Sequence, residues 1–175
     1  MVHLRAATPD DVGAVAWLHA DSWQRTYRGL YSDAYLDDGV HAERLDLWTR
    51  QFAHPRADQR TVVAEHDGEI VGFVHTLLDE DDHFGALLDN LHVAAAWQRR
   101  GLGTRLVVAS AQAVVDERPG RGLYLWVLDA NARARAFYAA IGGREADHAA
   151  DTAPDGTTVS GIRVVWPDPK TLLHP

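Results

Sequence analysis

Residues 98–103 have the sequence Gln-Arg-Arg-Gly-Leu-Gly and stand between two apolar runs. The run at 86–93 is typical of a strand, and the run at 102–117 is typical of a helix. Glycine at such a junction lets the backbone approach a ligand, and the first N–H groups of a helix have no carbonyl partner within it. The helix dipole and the arginines add positive charge, so the segment predicts a strand–turn–helix unit that binds phosphate groups. The residues expected at that phosphate site are Gln98, Arg99, Arg100, Gly101, Leu102, Gly103 and Thr104.

Composition and charge exclude several classes of protein. The chain has 175 residues and a net charge of −8, which disfavours a general nucleic-acid binder. No apolar run reaches the roughly 18 residues that cross a bilayer, and the first residues lack the basic and apolar regions of a signal peptide. The chain has no cysteine, so it has no disulfide and no thiolate nucleophile. We therefore expect one cytoplasmic domain over residues 1–175, with no nucleic-acid or membrane partner.

Other common cofactor sites are not indicated by the sequence. The glycine segment lacks the third glycine of a dinucleotide-binding fingerprint, and the chain has no Gly-Lys-Ser/Thr triplet of a P-loop. The histidines are scattered and form no His-Glu-x-x-His motif. We therefore expect no metal in the site.

The rest of the chain alternates between strand and helix patterns. Strands are predicted at 2–6, 61–65, 70–78, 87–93, 123–128, 144–150 and 157–166. Helices are predicted at 9–23, 32–36, 41–52, 102–117 and 131–141. Asp67-Gly68 and Asp155-Gly156 predict hairpin turns, and the polar run 79–82 predicts a loop.

With its elements in this order, the chain resembles the GNAT-type N-acetyltransferases. Residues 98–103 are similar to that family's Gln/Arg-x-x-Gly-x-Gly/Ala pyrophosphate loop. Residues 127–131, and then 136–143, are similar to its fifth strand and the helix that follows. The hairpin 62–74 is similar to the strand pair before its core, and residues 22–30 are similar to its N-terminal helix and loop.

These matches cover a core of about 4–166 and imply an α/β (α+β) fold. That fold is a mixed, mostly antiparallel twisted sheet of about seven strands flanked by about four helices. The resemblance implies that acetyl-CoA donates an acetyl group to a primary amine of a small molecule or peptide, by direct attack in a ternary complex. A non-catalytic acyl-CoA sensor, a longer acyl chain and a hydroxyl acceptor remain open. A homodimer is also left open.

The resemblance further implies that the fourth strand bulges and separates from the fifth, so that its backbone faces the cofactor. Leu91, His92 and Val93 lie on this strand, and the Val93 N–H would point at the acetyl oxygen. Tyr138 is the candidate donor to the leaving thiolate, because a phenol can protonate a thiolate without a large pKa mismatch. Asn131 lies on the same helix face and would bind the pantetheine arm. On spacing alone, the alternative is that Asn131 only caps the helix and Tyr138 only packs.

The acceptor amine must lose a proton, which calls for a base. Asp89 has the strand parity of Leu91 and Val93 and is the first candidate. Glu80, after the third strand, is the second. His92 should face the opposite side from Val93. Each of these side chains could instead be a solvated structural residue.

The resemblance implies that the first two helices and the last hairpin shape the acceptor cleft. The helical segments carry an aromatic and acidic set: Trp17, Trp23, Tyr27, Tyr31, Asp33, Tyr35, Asp37, Asp38 and Trp48. Such groups suit a cationic amine through charge and cation–π contacts. The same composition also fits a solvated acidic surface above core aromatic residues.

Overall fold

The computed structural model describes residues 1–173, which form one seven-stranded sheet with helices on both faces. The strands are β1 (His3–Ala6), β2 (Gln59–His66), β3 (Glu69–Asp81), β4 (Gly85–Val93), β5 (Leu123–Leu128), β6 (Arg144–Thr152) and β7 (Thr158–Trp166). The α-helices of this part of the chain are α1 (Val12–Thr26), α2 (Val40–Ala53), α3 (Leu102–Glu117) and α4 (Ala132–Ala140). Short helical turns lie at Pro9–Asp11, Tyr35–Gly39, Ala95–Trp97 and Pro169–Leu172.

The sheet order is β1-β2-β3-β4-β5-β7-β6, and only β4 and β5 run parallel to each other within residues 1–173. This confirms the mixed, mostly antiparallel sheet that the resemblance implies. The glycine segment is also confirmed as the link between a strand and a helix, because it lies between β4 and α3. No helix among the described residues is both long and apolar enough to cross a membrane.

The two faces of the sheet are covered by different helices. On one face, Val15 and Leu18 of α1 pack with Trp48 of α2 and Phe73 of β3. On the other face, α3 and α4 pack against residues of β3, β4, β5 and β7. Burial of these apolar side chains holds the sheet between the layers and fixes which face each strand residue points to.

The pairing of β4 creates an opening in the sheet. Its parallel contact with β5 is limited to Ala86↔Leu123 and Leu87↔Tyr124, after which the two strands separate. On its other edge, Asn90 pairs with His75 and Leu88 pairs with Thr76. Asp89 is therefore an extra, bulged residue of β4. The bulge and the separation implied by the resemblance are both present.

The prediction of a loop at 79–82 is wrong at its start, because β3 continues to Asp81. Asp81 pairs with Gly85 of β4, and its Oδ1 accepts the N–H groups of His83 and Phe84 at 2.8 Å each. Hydrogen bonds across the β3–β4 turn thus stabilise an extended conformation that the polar composition disfavours. The first helix also begins later and ends later than predicted, after a 3₁₀ turn at Pro9–Asp11.

Candidate active site

A cavity of about 1000 Å³ opens where β4 and β5 separate. Its walls come from residues 88–93, 125–128, the end of α1 and the β6–β7 hairpin. The structure brings most of the predicted site residues to this cavity: Asp89, Leu91, His92, Val93, Gln98, Arg99, Gly101, Gly103, Thr104, Asn131 and Tyr138. The cavity therefore joins the predicted phosphate segment to the predicted catalytic groups.

Three predicted residues lie elsewhere. Arg100 lines a smaller concavity next to the cavity, together with Arg99 and Gln98. Leu102 is only 3 % exposed and belongs to the core, so it can offer a ligand only its backbone. Glu80 is not among the described residues that line the cavity, and Arg56 Nη1 lies 3.0 Å from its Oε2.

The phosphate segment is an ordered turn. Arg99 and Gly101 both have positive φ, at 58° and 76°, and α3 begins directly after them. A side chain at Gly101 would meet no atom within 4 Å, whereas one at Gly103 would place its Cβ 3.3 Å from the ring of Phe137. Gly101 therefore allows the left-handed backbone conformation of the turn, and Gly103 lets α3 and α4 approach each other.

Side chains hold the turn in place through hydrogen bonds and place positive charge beside it. Gln98 Nε2 donates to the Val93 carbonyl at 3.1 Å, and Arg133 Nη2 donates to Gln98 Oε1 at 2.8 Å. The Arg100 guanidinium lies 5.3 Å from the Trp97 ring centroid. Arg133 lines the cavity and the concavity beside it, although no sequence pattern selected it. Its position shortly after the cap residue Asn131 is the signal that could have found it.

The Val93 N–H points toward the opening. Ala94 N donates to the Val71 carbonyl at 2.9 Å, across the β3–β4 pair. Hydrogen-bonded and non-hydrogen-bonded pairs alternate along an antiparallel ladder, so the pair Gly72↔Val93 is of the second kind. The Val93 backbone groups consequently face away from β3, toward the gap beside β5. A donor in that place can reach a carbonyl oxygen held in the gap.

Tyr138 and Asn131 line the same cavity. Tyr138 is 9 % exposed, and its ring centroid lies 6.0 Å from that of Trp166 in an edge-to-face contact. Burial, with a smaller effect of Tyr27, raises the pKa of Tyr138 above its ordinary value. Asn131 Oδ1 accepts the N–H of Ala134 at 3.1 Å, so its predicted role as a helix cap is confirmed.

Asp89 is the predicted base candidate that faces the cavity. It occupies the bulge and is exposed within the cavity mouth, and Asn90 Nδ2 donates to its Oδ2 at 2.6 Å. Removal of water by the surrounding walls, followed by the charge of Glu80, raises the pKa of Asp89. The strand parity predicted for Asp89 is wrong, however. Because of the bulge, Leu88 rather than Asp89 continues the buried face of Leu91 and Val93.

His92 points to the α1 side of the sheet, opposite to Val93, as predicted. Its ring stacks on His19 at 4.4 Å between centroids, and its Nδ1 lies 2.9 Å from Ser22 Oγ. Trp48 Nε1 donates to His19 Nδ1 at 3.0 Å. Burial, with the charges of Arg44 and Arg25, lowers the pKa of His92 to about 3, so this imidazole is neutral near pH 7.

The acceptor side differs from the sequence prediction. Trp23, Tyr27 and Tyr31 line the cavity. Trp17 is instead 60 % exposed and Trp48 is fully buried in the core. The predicted acidic residues Asp33, Asp37 and Asp38 are not among the described residues that line the cavity. Two of them bind one arginine instead, because Asp33 and Asp37 lie 3.0 and 2.5 Å from Arg28. A buried cation, Arg44, lines the cavity.

No group of His, Asp or Glu side chains in residues 1–173 is arranged to hold a metal ion. His174, one of the scattered histidines, lies outside the described residues. That the site needs no metal stays a prediction.

Comparison with known proteins agrees with this arrangement. The sequence profile of the acetyltransferase (GNAT) family matches residues 16–142. "Probable N-acetyltransferase Rv2775" of Mycobacterium tuberculosis is 29 % identical over 141 residues, which are 78 % of this chain and 76 % of that protein. "Uncharacterized N-acetyltransferase YuaI" of Bacillus subtilis is 26 % identical over 185 residues, or 99 % of each chain.

The fold is also found among solved structures. PaiA N-acetyltransferase from Thermoplasma acidophilum, solved in complex with coenzyme A, has a TM-score of 0.72 with this chain at 16 % identity. The match covers 92 % of this chain and 98 % of that one. At that identity the likeness concerns the fold, whose open sheet and flanking helices are the same.

Proposed function

The chain belongs to the acetyltransferase (GNAT) family, and we propose that it transfers the acetyl group of acetyl-CoA to a primary amine of a small molecule or peptide. The observation that carries this proposal is the gap between β4 and β5, which begins at the phosphate segment and passes Val93, Asp89 and Tyr138. The coenzyme A complex of a protein with the same fold supports an acyl-CoA donor.

The residues present fit the parts of such a donor. The phosphates would bind the free N–H groups at the start of α3, with Arg99, Arg100 and Arg133 beside them. The pantetheine arm would lie in the gap, where β4 and β5 leave backbone groups unpaired with each other. The thioester carbonyl would then accept the Val93 N–H, which stabilises negative charge on that oxygen during attack.

The chemistry follows from the groups around this carbonyl. The amine nitrogen attacks the thioester carbon and forms the C–N bond, and the C–S bond breaks as the tetrahedral intermediate collapses. The Tyr138 hydroxyl, which burial keeps protonated at neutral pH, donates its proton to the leaving thiolate, and the phenolate then regains a proton through water. Asp89 accepts the proton of the amine directly or through water, and its raised pKa makes it a stronger base than an ordinary aspartate. Glu80, bound to Arg56, acts on this step only through its charge. Direct attack suits a chain that has no cysteine.

The test is turnover by the purified chain. Acetyl-CoA is incubated with a panel of amino acids, peptides and polyamines, while free thiol is followed and the acetylated product is identified by mass spectrometry. We expect thiol release above the buffer rate, with one acetylated amine formed for each thiol. Binding of acetyl-CoA without turnover of any amine would favour a non-catalytic sensor. Turnover only with a longer acyl-CoA, or only with an alcohol, would favour a different acyl donor or a hydroxyl acceptor. A cytoplasmic location, a single domain and a homodimer stay predictions.

A further inference from the structure

Arg44 is a buried cation on the acceptor side of the cavity. The inward face of α2 carries Val40, Arg44 and Trp48, each four residues from the next. Arg44 is only 7 % exposed, yet it lines the cavity. Its guanidinium lies 4.3 Å from the ring centroid of Trp23, a stacking contact that holds its plane in place. Because a buried charge is costly unless it is paired, its partners matter.

The charge of Arg44 is only partly compensated by the protein. Arg44 Nη2 donates to Glu43 Oε1, and the Tyr35 hydroxyl donates to Oε2 of the same carboxylate. Arg44 Nε is buried and has no hydrogen-bond partner within residues 1–173. The guanidinium thus keeps a buried donor that no described residue satisfies, and a planar carboxylate is the ligand that its geometry suits best.

The other ionisable groups near Arg44 do not neutralise it. Burial lowers the pKa of His19 well below its ordinary value and that of His92 to about 3, so both rings are uncharged near pH 7. Asp89 lines the same cavity, and no ion pair joins it to Arg44 within the described residues. Asp151 of the β6–β7 hairpin also lines the cavity, and no ion pair joins it to Arg44 within the described residues. Arg44 and Asp89 are therefore opposite charges on the wall of one cavity that do not pair with each other.

We infer that the acceptor is a zwitterion, a small α-amino acid or a close analogue, whose carboxylate binds Arg44 and whose amine faces Asp89. This inference rests on the proposed function and names the substrate class of the same site. The inferred acceptor differs from spermidine, which is named as the acceptor of an N-acetyltransferase chimera, partly from Vibrio cholerae, with the same fold. A polycationic acceptor would meet the buried charge of Arg44 and be repelled.

The first test compares matched acceptors on the unmodified protein. Each α-amino acid is assayed beside its carboxamide, with spermidine as the polycation. Loss of a hydrogen-bonded charge partner predicts that kcat/KM is about 10- to 100-fold lower for the carboxamide. The amine of the carboxamide is the more readily deprotonated of the two, so amine basicity cannot produce this preference. Equal use of acid and carboxamide, or preference for spermidine, would overturn the inference and leave acetyl transfer intact.

Two variants test Arg44 itself. R44Q should raise KM for the amino acid about 10- to 100-fold and leave KM for the carboxamide within about threefold. E43Q removes the carboxylate that competes for the guanidinium, so it should lower KM for the amino acid only. If R44Q does not fold, E43Q and the acceptor comparison decide. A KM for the amino acid that rises in R44Q and falls in E43Q supports the inference. A KM that changes equally for the amino acid and its carboxamide in either variant contradicts it. If no acceptor is acetylated at all, the proposed function fails, and the inference fails with it.

Discussion

Replacing Tyr138 by phenylalanine removes the proposed proton donor and keeps the ring. The edge-to-face contact with Trp166, at 6.0 Å, and the contact with Phe137, at 5.1 Å, are both made by the ring. The Tyr138 hydroxyl makes no hydrogen bond to a described residue, so its removal leaves no protein group without a partner. We therefore expect the free energy of unfolding to change by less than about 1 kcal/mol.

The catalytic effect of Tyr138→Phe should be much larger. Loss of a general acid costs about 10²–10⁴ in rate, which corresponds to about 3–5 kcal/mol of transition-state stabilisation. Because burial raises the pKa of Tyr138, the phenol stays protonated between about pH 6 and 9, and the loss should be similar across that range. Affinity for acetyl-CoA should change little, since the ring remains in place.

The assay is steady-state thiol release, with acetyl-CoA affinity measured separately by calorimetry. Tyr124→Phe is the matched control. Tyr124 is 4 % exposed on β5 and is not among the residues of 1–173 that line the cavity, so its variant should keep the wild-type kcat. An unchanged kcat in Tyr138→Phe would show that water or another group protonates the thiolate. An equal loss in both variants would show a packing effect.

Three further variants test the phosphate turn, the base and an ion pair outside the site. Gly101→Val should weaken coenzyme A binding at least about tenfold in calorimetry. The control Gly68→Val, at a similar positive φ of 85°, should leave that binding unchanged. Equal coenzyme A affinity in the two variants would show that the turn at Gly101 does not bind the phosphates. Asp89→Asn should keep its affinity for coenzyme A and lose turnover at neutral pH. Its rate should recover as pH rises, because the amine is then already deprotonated. A pH profile parallel to that of the wild type would show that another group is the base. The ion pair and hydrogen bond with Arg5 lower the pKa of Asp11 to about 2 from 3.8, so Asp11→Asn should cost about 2 kcal/mol in urea unfolding above pH 4. That difference should vanish as pH falls toward 2, and its persistence there would contradict the assignment.

Local signals in the sequence predicted the cofactor half of the molecule well. Helix α3 spans the predicted residues 102–117, because the glycines before it and the apolar spacing within it act over a few residues. Strand β5 also has its predicted bounds. Asn131 caps α4 through a contact that its position alone indicates.

The acceptor half depends on contacts between distant segments, which the sequence does not display. The bulge at Asp89 exists only in the register between β3 and β4. Arg44 is a charged residue that would be expected at the surface, and its burial requires the ring of Trp23 and the carboxylate of Glu43. The acidic residues near the second helix suit either a cationic amine or a solvated surface by composition alone, and the structure shows that Arg28 pairs with two of them.

The central claim is that acyl-CoA lies in the gap between β4 and β5 with its phosphates on residues 98–104. At 19.3 kDa the chain suits residue-resolved amide NMR spectra recorded during a titration with coenzyme A. We predict that the largest shifts occur at the N–H groups of Gly101, Gly103 and Thr104, and that Val93 responds as well. Saturating binding that leaves these amides unchanged, or shifts that centre on another part of the sheet, would contradict the claim.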